Sequence, residues 1–233
     1  MAIEDWDLQL GNRIVSKTKN NGFMSCITKG ERGYGKSTYN IKNMAYVYYH
    51  VTECTETQAW NQALDNLIFT PDQLMQRIDT NIEEDIISPV WCIDDATVHF
   101  SGKLFFINLY TTALLEAAFD TIRTVVSGLL INCPKKKRLL GALKTYDDYE
   151  VTIYKHPYGG YQRKSVCIKY YSLPDGKQKF RKEFEDEFSC YIPNWVYRLY
   201  MEKRKMYLKE INMEMQRLRD KLQEKKAARA PVF

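Results

Sequence analysis

The chain has 233 residues, with 34 lysines and arginines against 29 aspartates and glutamates, a formal net charge of +5. Residues 201–233 carry 10 of the basic side chains and 5 of the acidic ones, so the 200 residues before them are formally neutral and the whole excess lies in the tail. That distribution excludes a uniformly basic nucleic-acid coat, and a content of 45% hydrophobic and 13% aromatic residues excludes disorder as the resting condition.

The length fits one domain with additions. No run of 18 apolar residues is present, so no membrane-spanning helix is expected. The stretch Met1–Asp5 is acidic and lacks the basic and apolar regions of a signal peptide, which reads as an intracellular protein. The cysteines at 26, 54, 92, 133, 167 and 190 make no C-x-x-C pair, which argues against a zinc knuckle. Cys26, Cys92 and Cys133 lie in apolar runs and read as small core residues.

Taken in chain order, residues 1–21 are polar and mixed, without a clear element. Gly22–Lys29 is a short apolar run and predicts a strand. A glycine cluster follows, and Lys36–His50 then places Ile41, Met44, Ala45 and Tyr48 at helical spacing. Gln58–Asn66 reads as helix and Leu67–Phe69 as a short strand. Thr70-Pro71-Asp72-Gln73 is a helix start, with Thr70 as cap, Pro71 in the first turn and Gln73 closing a capping box; the helix is expected to reach about Asp79.

Pro89–Ile93 predicts a buried strand that ends in Asp94-Asp95. Ile107–Ser127 predicts a long helix with Leu114, Ala118, Ile122 and Val125 on one face and Gly128 as its stop. Leu129–Cys133 is a further buried strand. Apolar runs that do not alternate argue for a parallel sheet covered on both faces. The pattern then changes. Tyr149–Lys155 and Arg163–Tyr171 flank a glycine turn and predict a hairpin, Leu173–Gly176 a second turn, and Lys177–Phe184 a further strand. After Pro193 one helix is expected to run to about Lys226.

The glycine cluster matches G-x-x-x-x-G-K-[ST] over Gly30, Glu31, Arg32, Gly33, Tyr34, Gly35, Lys36 and Ser37, with Thr38 next. A strand precedes the match and a helix follows it, the context a phosphate loop requires. Successive backbone N–H groups wrap an anion, and the helix dipole adds positive potential. In that reading Lys36 reaches the β and γ oxygens of ATP and Ser37 offers a hydroxyl to Mg²⁺. The bland reading is a plain glycine turn.

In a nucleotide-binding sheet the next strand over is expected to hold the metal from its carboxyl end. Val90-Trp91-Cys92-Ile93-Asp94-Asp95 fits, with Asp94 on the metal and Asp95 as the base that orients the attacking water. Asp pairs elsewhere are usually caps or solvated turns, and an Asp at the second place is shorter than the Glu found in many such ATPases. Asn132 closes the following strand, where it either contacts the γ-phosphate or merely ends a strand before Pro134. Arg123 and Arg138 are either fingers reaching a neighbour's nucleotide or surface charge. The short strand between the two motifs is expected of the additional-strand class of P-loop ATPases.

Four segments, GERGYGKST, LDNLIFTPDQLMQRI, VWCIDDATVHF and FDTIRTVVSGLLINCP, resemble compact P-loop ATPases of archaeal viruses and plasmids, often called AAA-type or DnaA-like. The resemblance spans residues 22–134 and is weaker beyond. It implies a three-layer α/β/α P-loop NTPase with a mainly parallel central sheet, C-terminal β-hairpins and a long terminal helix. It implies ATP and Mg²⁺ sites at Gly30–Thr38 and Asp94–Asp95; the reading of the residues themselves expects Mg-dependent ATP hydrolysis with Mg²⁺ on Ser37 and Asp94 and with Lys36, Asp95, Asn132 and Arg123 in catalytic roles. The resemblance further implies work on DNA in replication or maintenance of a virus or plasmid, in the cytoplasm of an archaeal host, as a homo-oligomer that includes a hexamer among its forms, alongside replication or packaging proteins. One departure matters: no helix-turn-helix follows the core. The hairpins over 149–190 look more like those of RecA- and HerA/FtsK-like motors, so a packaging or translocating motor stands beside the replication reading, with a slow nucleotide-dependent assembly switch as a third.

The expected organisation is an ATPase domain at 1–190, with core 22–148 and hairpins 149–190, and a basic amphipathic helix at 191–233. Met201, Leu208, Met215 and Leu222 recur every seven residues, with Ile211 and Leu218 between them and Arg204 breaking the seam. This helix packs on its own domain, pairs between subunits, or sets Lys221, Lys225, Lys226 and Arg229 on DNA phosphates. Lys135, Lys136, Lys137 and Arg138 form a second basic run on the body.

Overall fold

A computed structural model describes residues 3, 6–101, 109–146, 149–157, 159–172 and 178–227, with the side chains of 109–111, 172, 178, 214, 218 and 221–227 excepted. The expected turn at Leu173–Gly176 and Arg229 lie outside those residues, as do the side chains of Leu218, Lys221, Leu222, Lys225 and Lys226. The chain divides into two compact units, Met1–Ile192 and Pro193–Phe233.

The first unit is built on a seven-stranded sheet. In chain order its elements are α1 (Gln9–Lys19), β1 (Met24–Lys29), α2 (Lys36–Val51), α3 (Glu56–Asp65), β2 (Leu67–Ile68), α4 (Pro71–Glu83), β3 (Ser88–Ile93), α5 (Leu109–Thr121), β4 (Val126–Asn132), α6 (Gly141–Lys144), β5 (Tyr149–Lys155), β6 (Gln162–Ser172) and β7 (Gln178–Ser189). Short 3₁₀ turns cover Ile122–Thr124 and Lys136–Arg138. The sheet order is β2-β3-β4-β1-β5-β6-β7. From β2 through β5 every pairing is parallel, and β5-β6-β7 are antiparallel. The mixed α/β architecture, the mainly parallel sheet, the hairpin strands and the long terminal helix are as expected from the sequence.

The strand order corrects one expectation. The strand bearing Asp94 is not the neighbour of β1; β4 is inserted between β1 and β3. β1 pairs with β4 from Met24↔Gly128 to Thr28↔Asn132, and β3 pairs with the far side of β4. All three strands point the same way, so Lys29, Asp94 and Asn132 arrive at one edge. That carboxyl edge, where the chain leaves β1 in one direction and returns on its other side, is where open parallel sheets hold ligands.

Burial explains the apolar runs. All seven residues of β4 are buried, as are the first five of β1 and the last four of β3. One face of the sheet presents Ile27, Trp91, Ile93, Leu129 and Ile131 to Leu74 of α4 and to Leu115 and Phe119 of α5. Toward the other face, α2 is anchored where the Tyr48 hydroxyl donates to the Val90 carbonyl at 2.7 Å. With both faces covered, period-two alternation has no reason to appear.

Several local expectations shift. The stretch over residues 1–21 contains α1, with Leu10 and Ile14 fully buried. The helix expected to run to Ser127 ends at Thr121, and Gly128 lies inside β4. Its stop signal has a packing reason instead: a Cβ on Gly128 would come within 2.8 Å of Ile14 Cγ2 and 3.2 Å of the Pro89 carbonyl. Leu114 is 42% exposed while Leu115 and Phe119 take the buried face. α4 extends to Glu83. Thr70 caps it as expected, accepting from the Gln73 N–H at 3.3 Å, but the Gln73 side chain accepts from Phe69 N at 2.8 Å, one residue before the cap. A full capping box forms instead at Thr55 and Gln58, where α3 begins. β5 is both the first strand of the hairpin and the parallel neighbour of β1, so the sheet runs continuously from core into hairpins.

The second unit is the single helix α7 (Asn194–Ala227). Of its seven-residue series, Leu208 and Met215 are exposed. Among the described residues no helix is long and apolar enough to cross a membrane.

Candidate nucleotide site

The site begins with a turn that only glycine makes easily. Gly30, Gly33 and Gly35 all have positive φ, and Gly35, at φ 88°, is the residue that caps α2. A Cβ there would stand 2.3 Å from Cys190 Sγ, so two separate constraints select glycine. With no side-chain cap, the first N–H groups of α2 are directed at the loop, the arrangement that receives an anion.

Lys36 is buried, and its ammonium folds back on the loop, donating to the carbonyls of Gly30 at 3.0 Å and Glu31 at 2.8 Å. Burial lowers its pKa, and the nearby carboxylates of Asp95 and Asp94 pull in the opposite direction. The lysine is thus held beside the two acids, on the side of the loop where a bound anion would meet it.

The β-ladder carries the acids to the same place. Asp94 N donates to the Ile68 carbonyl at 2.9 Å and Ala96 N to the Asn132 carbonyl at 3.0 Å, which fixes the turn after β3 against its neighbours. Asp94 is fully buried. Its Oδ1 accepts from the Ser37 hydroxyl at 3.0 Å and from Asn132 Nδ2, which also donates to Ser37 Oγ at 2.9 Å. Three residues separated by 57 and 38 positions in sequence therefore meet in one hydrogen-bonded triangle. Asn132 is 2% exposed and its Oδ1 accepts nothing. Beneath, the Thr28 hydroxyl donates to Asn40 Oδ1 at 2.8 Å, tying β1 to α2 in the interior. Asp95 is half-buried and takes a left-handed backbone at φ 48°.

The Asp94 carboxylate and the Ser37 hydroxyl are an oxygen-only pair of donors, and Asn132 turns its amide nitrogen, not its Oδ1, toward them. That oxygen pair suits a hard cation such as Mg²⁺, which binds few protein ligands and completes its shell with water and phosphate. The residues present therefore fit Mg²⁺ beside a phosphate chain, with Ser37 and Asp94 as its protein ligands and charge neutralisation as what it would supply. Among the described residues no group of three or more His, Cys, Asp or Glu side chains forms a metal cluster.

Beside the loop lies a cavity of about 670 Å³, walled by Lys29, Arg32, Lys135 and Arg138, and by Thr97 and Pro134 from the turns after β3 and β4. Arg138 is therefore brought beside the glycine loop of its own chain. Arg123 is not. It lies in the 3₁₀ turn that precedes β4, at the opposite end of that strand from Asn132. Seven residues of strand separate the two edges, about 20 Å.

The basic run 135–138 is divided rather than acting as one patch. Lys136 lies 3.5 Å from Glu150 and over the ring of Tyr170, while Lys135 and Arg138 face the cavity. Glu150, 2% exposed on β5, also accepts from Lys29. Glu150, Cys190 and the buried Asp186, which accepts from Tyr39 OH and from Gln9 N at 2.9 Å, carry no motif; they reach the site's flank only through sheet pairing. All six cysteines are free thiols.

No protein-family model matches the chain. It is 26% identical over 224 residues to the uncharacterized protein B-251 of Sulfolobus spindle-shape virus 1, covering 93% of this chain and 87% of that one. It is also 26% identical over 135 residues to the uncharacterized protein ORF286 of Acidianus two-tailed virus, covering 57% of this chain and 44% of that one. The chain is thus similar to proteins of archaeal viruses. Among solved structures it matches the genome packaging NTPase B204 of Sulfolobus turreted icosahedral virus 2 in complex with ATP-gammaS, at 12% identity and a TM-score of 0.27, over 73% of this chain and 86% of that one. A likeness in shape that slight is too small to argue from.

Proposed function

We propose that the chain binds and hydrolyses ATP with Mg²⁺, and that the energy is used on the DNA of a virus. One observation carries the reading: Ser37, Asp94 and Asn132 converge directly below a glycine loop whose lysine is buried beside them. A structural turn has no need to gather those groups at one edge. In this reading Gly30–Thr38 hold the phosphates, Lys36 neutralises them, and Ser37 and Asp94 hold Mg²⁺. Asp95 orients the attacking water, and Asn132 offers its amide to the γ-phosphate or that water. Residues 1–190 form the ATPase domain and 191–233 an appendage for assembly or DNA contact.

Within this reading a packaging or translocating motor is favoured over a DnaA-like origin binder. Among the described residues the segment after the core is sheet, β5 to β7, and not the helix pair that reads a sequence in the major groove. Such a motor works as a homo-oligomer around DNA.

Calorimetric titration with ATP and a steady-state ATPase assay test the proposal. Mg-dependent turnover stimulated severalfold by DNA is expected, with Lys36→Ala abolishing binding or hydrolysis. Unchanged activity in that variant overturns the site assignment. Tight ATP binding without turnover replaces the motor with an assembly switch. Mass photometry with ATP and DNA reads the ring.

A further inference from the structure

The cavity beside the loop is more basic than a phosphate loop requires. Four cations, Lys29, Arg32, Lys135 and Arg138, face it against one carboxylate, Glu31. Lys29 is engaged by Glu150. Arg32, Lys135 and Arg138 have no carboxylate within ion-pair distance among the described residues, and all three are exposed. Unpaired cations that converge on a concave site repel one another, and an anion at their centre relieves that repulsion.

The position of the cavity says which anion. Its wall includes Gly30 and Glu31, whose carbonyls hold the Lys36 ammonium. Thr97 and Pro134 place it just past Asp94-Asp95 and Asn132. It therefore opens at the same carboxyl edge of the sheet as the lysine, the acids and the amide, next to them along the chain. Resting on the nucleotide reading above, we infer that this cavity receives the terminal phosphate of a nucleoside triphosphate, and that Arg32, Lys135 and Arg138 of the same chain contact it. The three cations then distinguish triphosphate from diphosphate, and Arg138 acts on its own chain's nucleotide, not on a neighbour's.

The test measures ATP-gammaS and ADP affinity separately, by calorimetry with Mg²⁺, for the full chain and for Arg32→Ala, Lys135→Ala and Arg138→Ala. These side chains are exposed and make no ion pair among the described residues, so the variants are expected to fold, which circular dichroism checks. Each is expected to lose roughly tenfold or more in ATP-gammaS affinity, the scale of one charge-assisted contact, while ADP affinity changes little. Equal losses for both nucleotides, or none for either, overturn the inference. Adding excess Lys36→Ala protein to Arg138→Ala should leave the defect in place; recovery of ATP-gammaS affinity would show that the arginine acts between chains and would overturn the same-chain assignment. Wild-type protein that binds neither nucleotide overturns the nucleotide reading itself, and this inference with it.

Discussion

The two flanks of the sheet treat their charged and polar groups in opposite ways. On the β5–β7 flank each buried acid is satisfied. Glu150 meets Lys29, Lys136 and the Tyr170 hydroxyl, and Asp186 meets Tyr39, Gln9 N and, through its own N–H, Ser165 Oγ. At the carboxyl edge of β1, β3 and β4 the groups keep capacity in reserve. Asn132 Oδ1 is buried without a donor, and Arg32, Lys135 and Arg138 are without an acidic partner among the described residues. A buried polar atom left without a partner costs free energy. On the function proposed above, the contrast separates acids that hold the protein together from groups that would meet a nucleotide and its metal.

The sharpest break of that contrast comes from opposite single changes. Asp94→Asn should cut turnover by about a hundredfold or more, since it removes the charge that would hold Mg²⁺, while the unfolding midpoint in urea stays level or rises. A large loss of stability instead would place Asp94 with the structural acids. Glu150→Ala should do the reverse. It leaves two lysines without their acid and is expected to cost about 1–3 kcal/mol in urea unfolding, the estimate kept low because both lysines are partly exposed. ATP affinity should not fall, since the freed lysines add positive charge at the cavity rim.

Gly35 joins the two regions. Gly35→Ala is expected to cost about 1–2 kcal/mol for its left-handed backbone, with a further loss from the collision with Cys190. Adding Cys190→Ala should return the collision part and leave the backbone part. Full recovery would show that packing alone selects the glycine; no recovery would show that φ alone does.

The smallest effect concerns Asp186. Burial raises its carboxyl above the ordinary value of 3.8, against the hydrogen bonds from Tyr39, Gln9 and Leu10. An acid with a raised folded value gives stability that is complete below its unfolded value and lost as pH climbs through the folded one. Stability should therefore decline as pH rises from about 3.8 upward, and Asp186→Asn should flatten that part of the curve. A mutant curve parallel to the wild type would remove Asp186 from the account.

Legibility followed range along the chain. The loop 30–37 could be read because its positive-φ turn into α2 is local backbone geometry, and glycines at fixed spacing are local facts. The strands could be read because burial on both faces leaves apolar runs. The end of α5 could not: Gly128 resembles a helix stop in sequence, yet it serves the approach of Ile14 from α1. The roles of Glu150, Asp186 and Cys190 were invisible for the same reason, since each has a partner more than a hundred residues away.

From the chain alone it was legible that a glycine loop with a lysine at phosphate-loop spacing is followed by acids on a buried strand, and that hairpins and one long helix come after. Those depend on propensity, periodicity and motif spacing, which are properties of neighbours in the chain. Tertiary structure alone decided that β4 separates the loop strand from the acid strand, which is what brings Asn132 against both Ser37 and Asp94. It alone divided the run 135–138, giving Lys136 to Glu150 and Arg138 to the cavity, and set Arg123 at the far edge. Strand order and side-chain direction arise from which apolar faces pack together, and no spacing in one dimension records that choice.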